Sequence, residues 1–194
     1  MITYKFRLYP NNKQQSKLWE HGNKLNWLYN QFLNQKIEAY KLDKKNLSRF
    51  SLQKQLVDLK KKDTVLKEIH SQVLQQVPLR LDRTYKGFFN GMGFPKYRSC
   101  KRFFSICYPQ SGYSFQSNIF KTKAYGSIAF IKHREIQGTI KTVTIKSEDN
   151  KWFLCITTDH EKDKKNIIAT IGVDVGIINL AALSNGQIIK NKPH

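Results

Sequence analysis

Acid is scarce in this chain beside its base. Fourteen Asp and Glu stand against 34 Lys and Arg, a formal net charge of +20 over 194 residues. That is more than a soluble surface needs, and it predicts a polyanionic partner with steep salt dependence. Cysteine is scarce too. Cys100, Cys107 and Cys155 are odd in number and scattered, with no CxxC pair. A disulfide framework and a zinc site of paired thiolates are therefore not expected. No run reaches the roughly 20 apolar residues of a membrane span. Met1 opens directly into a strand pattern, not into a basic-then-apolar leader. The expectation is a cytoplasmic protein with no membrane partner, and a length that suits one large domain or two small ones.

What is present is unevenly spread. Residues 169–194 hold two lysines and one aspartate, so residues 1–168 carry 32 cations and 13 carboxylates, or +19. The late stretch is where β-branched residues gather. Ile167 to Val173 is almost continuously apolar, as a strand buried on both faces reads. Asp174 interrupts the run, flanked by Gly172 and Gly176, which permit close approach of backbone or ligand. Leu180 to Ser184 reads as a second strand. Asn185-Gly186 is a hairpin signal, and Gln187 to Lys190 returns as a third strand. The expectation is an antiparallel meander whose first, central strand carries one acid. That acid either caps a turn or holds a hard cation.

Earlier in the chain, Ile2, Tyr4, Phe6 and Leu8 alternate with Thr3, Lys5 and Arg7. This predicts a half-buried strand with Lys5 and Arg7 on its open face. Pro10 ends it, and Asn11 or Asn12 can cap the next helix. From Lys13 to about Lys41, Leu18, Leu25, Leu28, Phe32, Ile37 and Tyr40 recur at helical spacing, with Trp19, Trp27 and Tyr29 widening the apolar surface. After a basic gap from Asp43 to Ser48, Ser51 offers a cap for a short helix with Leu52, Leu56 and Leu59. Its Lys60-Lys61-Lys62 tail suits a helix end or a phosphate contact. Asp63 or Thr64 can start a third helix with a stripe from Val65 to Phe88. Pro78 should kink or divide it, because an interior proline costs about 3 kcal/mol. Arg80, Arg83 and Lys86 recur at i, i+3 and i+6, as a phosphate-tracking ridge or a solvated face.

Gly87, Gly91 and Gly93 then break the helical pattern. In GFPKYRSCKRFF, the cations Lys96, Arg98, Lys101 and Arg102 interleave with Phe94, Tyr97, Phe103 and Phe104. Charge serves phosphate and rings serve unpaired bases; the plain alternative is a loop pinned to the core by its aromatics. From Phe103 the period changes to two. Strands are predicted at 103–108, 113–116, 127–131, 139–146 and 151–158, with a hairpin turn at 147–150. Short strands at this spacing imply a small barrel or sandwich. The strand at 2–8 should complete it, with the helices inserted between, which makes the class α+β. Asp159 to Asn166 reads as a linker.

GVDVGIINLAALSNG resembles the first catalytic motif of the RuvC-like nuclease domain in the TnpB family. These are transposon-encoded RNA-guided DNA endonucleases related to the type V CRISPR effectors. TYKFRLYPNNKQ, LNWLYNQFL, SQVLQQVPLRLDRTYKGFFNG and GFPKYRS resemble other family stretches in the same order, so the resemblance covers most of the chain. It implies a wedge-like β-barrel from 1–9 and 94–160, an inserted helical recognition region at 10–93, and the start of a RuvC-like domain at 161–194. It implies guide RNA and DNA as partners. It also implies Mg²⁺ as cofactor, with Asp174 the first of three catalytic, metal-holding acids. The family's glutamate and second aspartate, with a CxxC pair between them, lie further along than His194; Glu161 and Asp163 precede the motif and do not replace them. The expectation is the nucleic-acid-binding part of such an endonuclease, unable to cut alone, its further nuclease half a separate piece or lost. The main rival is a nuclease-dead binding module or repressor of helix-turn-helix type. An actin-like ATPase is disfavoured by Ile177 at the hydroxyl position of its phosphate loop. A structural ribosome-type protein is disfavoured by the ordered motifs.

Overall fold

The computed structural model describes residues 1–99, 101–103, 105–161 and 170–191. Cys100, Phe104, Asp163, Ile167 to Ala169 and most of the expected linker lie outside the described residues. The chain divides into two compact units, Met1–Glu161 and Lys162–His194.

The first unit starts with β1 (Ile2–Tyr9), followed by four helices: α1 (Asn12–Asp43), α2 (Arg49–Lys62), α3 (Thr64–Glu68) and α4 (Ser71–Phe89). Six strands come next: β2 (Ile106–Tyr108), β3 (Tyr113–Gln116), β4 (Ile119–Thr122), β5 (Gly126–Ile131), β6 (Ile140–Glu148) and β7 (Lys151–Thr158). All seven strands form one antiparallel sheet in the order β2-β6-β7-β1-β5-β4-β3. β1 thus sits between β7 and β5, and the helices are inserted between it and the rest of the sheet. No ladder joins the edge strands β2 and β3 among the described residues. Tyr108 and Tyr113 nevertheless meet edge-to-face across that seam, ring centroids 6.1 Å apart. The sheet therefore curls nearly closed.

Local chemistry explains the elements. β1 alternates as read, with Tyr4, Phe6 and Leu8 buried and Lys5 and Arg7 facing away from them. Asn11 caps α1 by a full capping box with Gln14. Ser48, not Ser51, caps α2: its hydroxyl accepts the Ser51 amide at 3.1 Å, one turn earlier than expected. Asp63 caps α3 through the Leu66 amide. Pro78 neither divides nor ends its helix; it lies buried inside α4. The break falls at Ile69 and His70, both extended, where the His70 ring accepts the Gln72 amide. The 147–150 turn closes with Asp149 and Asn150 both at positive φ, the geometry of a type I′ hairpin.

One apolar cluster joins sheet and helices, with Leu18, Leu25, Leu28 and Phe32 of α1 alongside Phe6, Ile145 and Leu154. Trp19, Phe103 and Trp152 seal the contact edge-to-face, Phe103 standing 4.9 Å from Trp152 and 5.2 Å from Trp19. His21 is buried here, its Nδ1 2.7 Å from the Tyr125 hydroxyl. Burial, followed by the Lys17 charge, lowers its pKa to about 4, so its 3.8 Å approach to Glu68 is not an ion pair at neutral pH.

The second unit holds β8 (Val173–Asp174), β9 (Asn179–Leu183) and β10 (Ile188–Lys190), paired antiparallel in the order β10-β9-β8. The meander is present, and Gly186 at φ +87 turns its hairpin. Two expectations are corrected. The acid-bearing strand is a two-residue edge strand, not a central one, because β9 takes the middle. It is also exposed on both sides of the pleat, Val173 by 56%, because three short strands form a single layer.

Candidate nucleic-acid interface

The loop after α4 has almost no secondary structure, yet it is tightly held. α1 presents Asn26, Asn30 and Asn34 at i, i+4 and i+8, one above another on one face. The Asn30 side chain makes two hydrogen bonds to the Arg98 backbone: its Nδ2 donates to the carbonyl at 2.8 Å, and its Oδ1 accepts the amide at 2.7 Å. Asn26 Nδ2 donates to the Arg102 carbonyl at 2.7 Å and the Ser99 carbonyl at 3.3 Å. Asn34 Oδ1 accepts the Tyr97 hydroxyl at 3.0 Å. Asn26 and Asn30 thus stand in for a strand partner, giving the loop's main-chain groups their bonds. Asparagine is a poor helix former, so three at helical spacing beside an apolar stripe were the available signal for this function, and sequence reasoning missed it.

The row fixes where the cations go. Arg98 lays its guanidinium 4.6 Å over the buried Tyr29 ring. Lys96, Tyr97, Arg98 and Arg102, with Thr84 of α4 and Asn26 and Tyr29 of α1, line a cleft of about 490 Å³. From α4, Arg80 donates to the Ser105 hydroxyl at 2.9 Å. Burial lowers the Arg80 pKa most; the Cys107 thiol opposes that, and the nearby Arg98 and Arg83 charges add to the lowering. Cations crowded this way repel one another, and a phosphate backbone would relieve the repulsion.

The other expected site residues are placed differently. Arg80, Arg83 and Lys86 do not form a straight ridge. Steps of three along a 3.6-residue helix sweep around it, so Arg80 turns inward while Arg83 and Lys86 are exposed. Lys86 pairs with Asp82 at 3.2 Å. Lys101 is exposed but does not line the cleft. Lys5 and Arg7 lie on the opposite face of the sheet from the core. Lys5 pairs with Glu148 and covers the Phe153 ring. Arg7 sits over Phe153 and Tyr9, with its Nη1 buried and without a hydrogen-bond partner. Lys60 is structural, donating to the Ser71 hydroxyl at 3.0 Å and stapling α2 to α4. A second cationic cleft, also about 490 Å³, has Lys17, Lys67 and Lys123 among its lining.

Asp174 is exposed, and its backbone pairs with Ala182. Among the described residues no group of three His, Cys, Asp or Glu could hold a metal ion. One carboxylate is too few for Mg²⁺ held in a rigid set of oxygens. Among the described residues, too, no helix is long and apolar enough to cross a membrane.

Residues 1–45 match a family model described as a helix-turn-helix domain; here that span folds as β1 and one unbroken helix. A protein of Escherichia coli (strain K12), InsQ, whose name proposes an RNA-guided DNA endonuclease, is 28% identical over 96% of this chain and 48% of its own length. A second, from Streptomyces pristinaespiralis and named for the same proposed activity, is 26% identical over 98% of this chain and 50% of its own. The chain therefore spans about half the length of the curated relatives it matches. A cryo-EM structure of a CRISPR-Cas12f ternary complex shares the fold at a TM-score of 0.51 and 13% identity, over 92% of this chain and 49% of that one.

Proposed function

We propose that the chain is a member of the TnpB family and that residues 1–161 form a nucleic-acid-binding scaffold of a transposon-associated, RNA-guided DNA endonuclease. Guide RNA and target DNA are the proposed ligands. Lys96, Tyr97, Arg98 and Arg102 are the proposed contacts at the cleft beside α1, with Arg80 behind them and the exposed Arg83 of α4 nearby; Lys5, Arg7, Lys86 and Lys101 contribute outlying charge. Asp174 is proposed as one carboxylate of a Mg²⁺-dependent nuclease centre. Among the described residues no group of three His, Cys, Asp or Glu includes it, and nucleic-acid binding is the activity proposed for residues 1–161.

The observation that carries this reading is the asparagine row, which spends three helix positions on holding a cationic loop extended. A structural loop needs no such alignment of positive side chains. The alternative, a nuclease-dead duplex-binding module or repressor, draws on the helix-turn-helix match at 1–45.

Titration of the 194-residue chain with a structured RNA hairpin and with duplex DNA at one salt concentration separates the two. Tighter hairpin binding is expected, and a marked duplex preference would favour the repressor. Arg83→Ala and Arg98→Ala should each weaken binding roughly tenfold and reduce the salt slope by about one. Failure to bind any oligonucleotide at low ionic strength would sink the reading. Mg²⁺-dependent cleavage lost in Asp174→Ala would show that these residues also cut.

A further inference from the structure

A cavity of about 420 Å³ opens where the far end of α1 meets the end of α4, away from the residues assigned above. Its floor is aromatic: Tyr40, Tyr85, Phe88, Phe89 and Phe94. Gly91, at φ +88, reverses the chain after α4. Phe94 then returns edge-to-face onto Phe88 and Tyr85, centroids 5.2 and 5.9 Å away. Phe89 adjoins Phe88 at 5.4 Å. The rings pack on each other without being covered. Phe89 is 71% exposed, Tyr40 58% and Phe94 47%. Clustered apolar rings left in water mark a binding surface.

The rim decides what binds. It carries Lys36, Lys41 and Lys45, and among the described residues no carboxylate lines it. Lys36 is fixed, its Nζ 4.7 Å over the Tyr85 ring and donating to Asn46 Oδ1 at 2.9 Å. Lys44 lies over Tyr40 at 5.1 Å. A second copy of this chain, also at +20, would be repelled by such a rim. A nucleotide complements both parts, since a base offers a flat π face and its phosphates offer negative charge.

We infer that this cup is a stacking subsite for one unpaired nucleobase of a single strand, with the flanking phosphates on Lys41 and Lys45. The inference rests on the nucleic-acid reading above and adds a site that separates single strands from duplexes.

The test uses the 194-residue chain and a strand of about 12 nucleotides carrying one central 2-aminopurine, beside a blunt duplex of the same length. Binding should quench the 2-aminopurine. Phe89→Ala should remove the quenching and weaken the strand about tenfold, the loss expected for one base–aromatic stack. Duplex affinity should stay within about twofold, since phosphate contacts set it. Phe89→Trp should restore quenching, and Val57→Ala, an exposed apolar site elsewhere on α2, should change nothing. Unchanged strand affinity and quenching in Phe89→Ala, with duplex binding intact, overturns the cup alone. Self-association of the wild type that Phe89→Ala abolishes overturns it in favour of a protein interface. Loss of all oligonucleotide binding by the wild type removes the nucleic-acid reading together with the cup.

Discussion

The two units use their apolar side chains in opposite ways. Met1–Glu161 holds 29 of the 34 cations and still seals Phe6, Leu18, Phe32, Phe120 and Leu154 from water. Residues 170–191 contain one acid and one lysine and are rich in Ile, Val and Leu. Yet only Ala181 is buried among them, while Ile177 is 93% exposed. Apolar content does not decide burial; layers do. The seven-stranded sheet curls nearly closed and packs on helices. Among the described residues of the second unit, strands of two, five and three residues make one short layer, too small to bury its own side chains.

That contrast breaks most readily under mutation. Phe32→Ala should destabilise the first unit by about 4 kcal/mol in urea unfolding. Ile177→Ala should move nothing by more than about 0.5 kcal/mol. Comparable losses at both sites would mean that the second unit has a core after all. Amide exchange gives the next largest effect. Phe6 and Leu154 amides should be protected on the order of a hundredfold or more over Val173 and Leu183, and equal protection would erase the distinction.

Acid sharpens the comparison by acting on one seam of the first unit. The folded pKa of His21, about 4, lies below the ordinary value near 6.5. The unfolded chain therefore binds the proton first. The stabilisation is complete above about pH 6.5 and is lost as pH falls toward 4, by about 2 kcal/mol between pH 7 and pH 5. His21→Gln should flatten that slope in urea midpoints, and an unchanged slope would assign the acid response elsewhere. The smallest effect concerns ligand. Because the charge belongs to the first unit, Asp174→Ala should leave oligonucleotide affinity within about twofold; a tenfold change would place the second unit in the binding surface.

Strands with strict alternation were legible from sequence: β1, β3 and β7 fall within a residue of the expected bounds. β4 was missed because Ile119–Thr122 alternates over only four residues between turns. Pro78 does not divide its helix, since local propensity marks where a helix is costly and not where packing insists on one. The break at Ile69–His70 carries no glycine or proline to announce it. Turns misled in a similar way. Asn185-Gly186 is the stronger hairpin signal, yet only Gly186 takes positive φ, whereas Asp149-Asn150 supplies the double left-handed turn. For the site, residue types in the loop after α4 pointed to charge and rings, but not to which would meet. Asn30 and Arg98 are 68 positions apart, and no local pattern links them.

The asparagine row has a further consequence. Asn26 and Asn30 grip the loop by its main chain, so the identities of the gripped side chains are largely irrelevant to the hold. Evolution, or an engineer, can exchange Lys96, Arg98 or Arg102 without dismantling the track that displays them. The segment works as an interchangeable label on a fixed holder, open to new ligand preferences at little expense to folding.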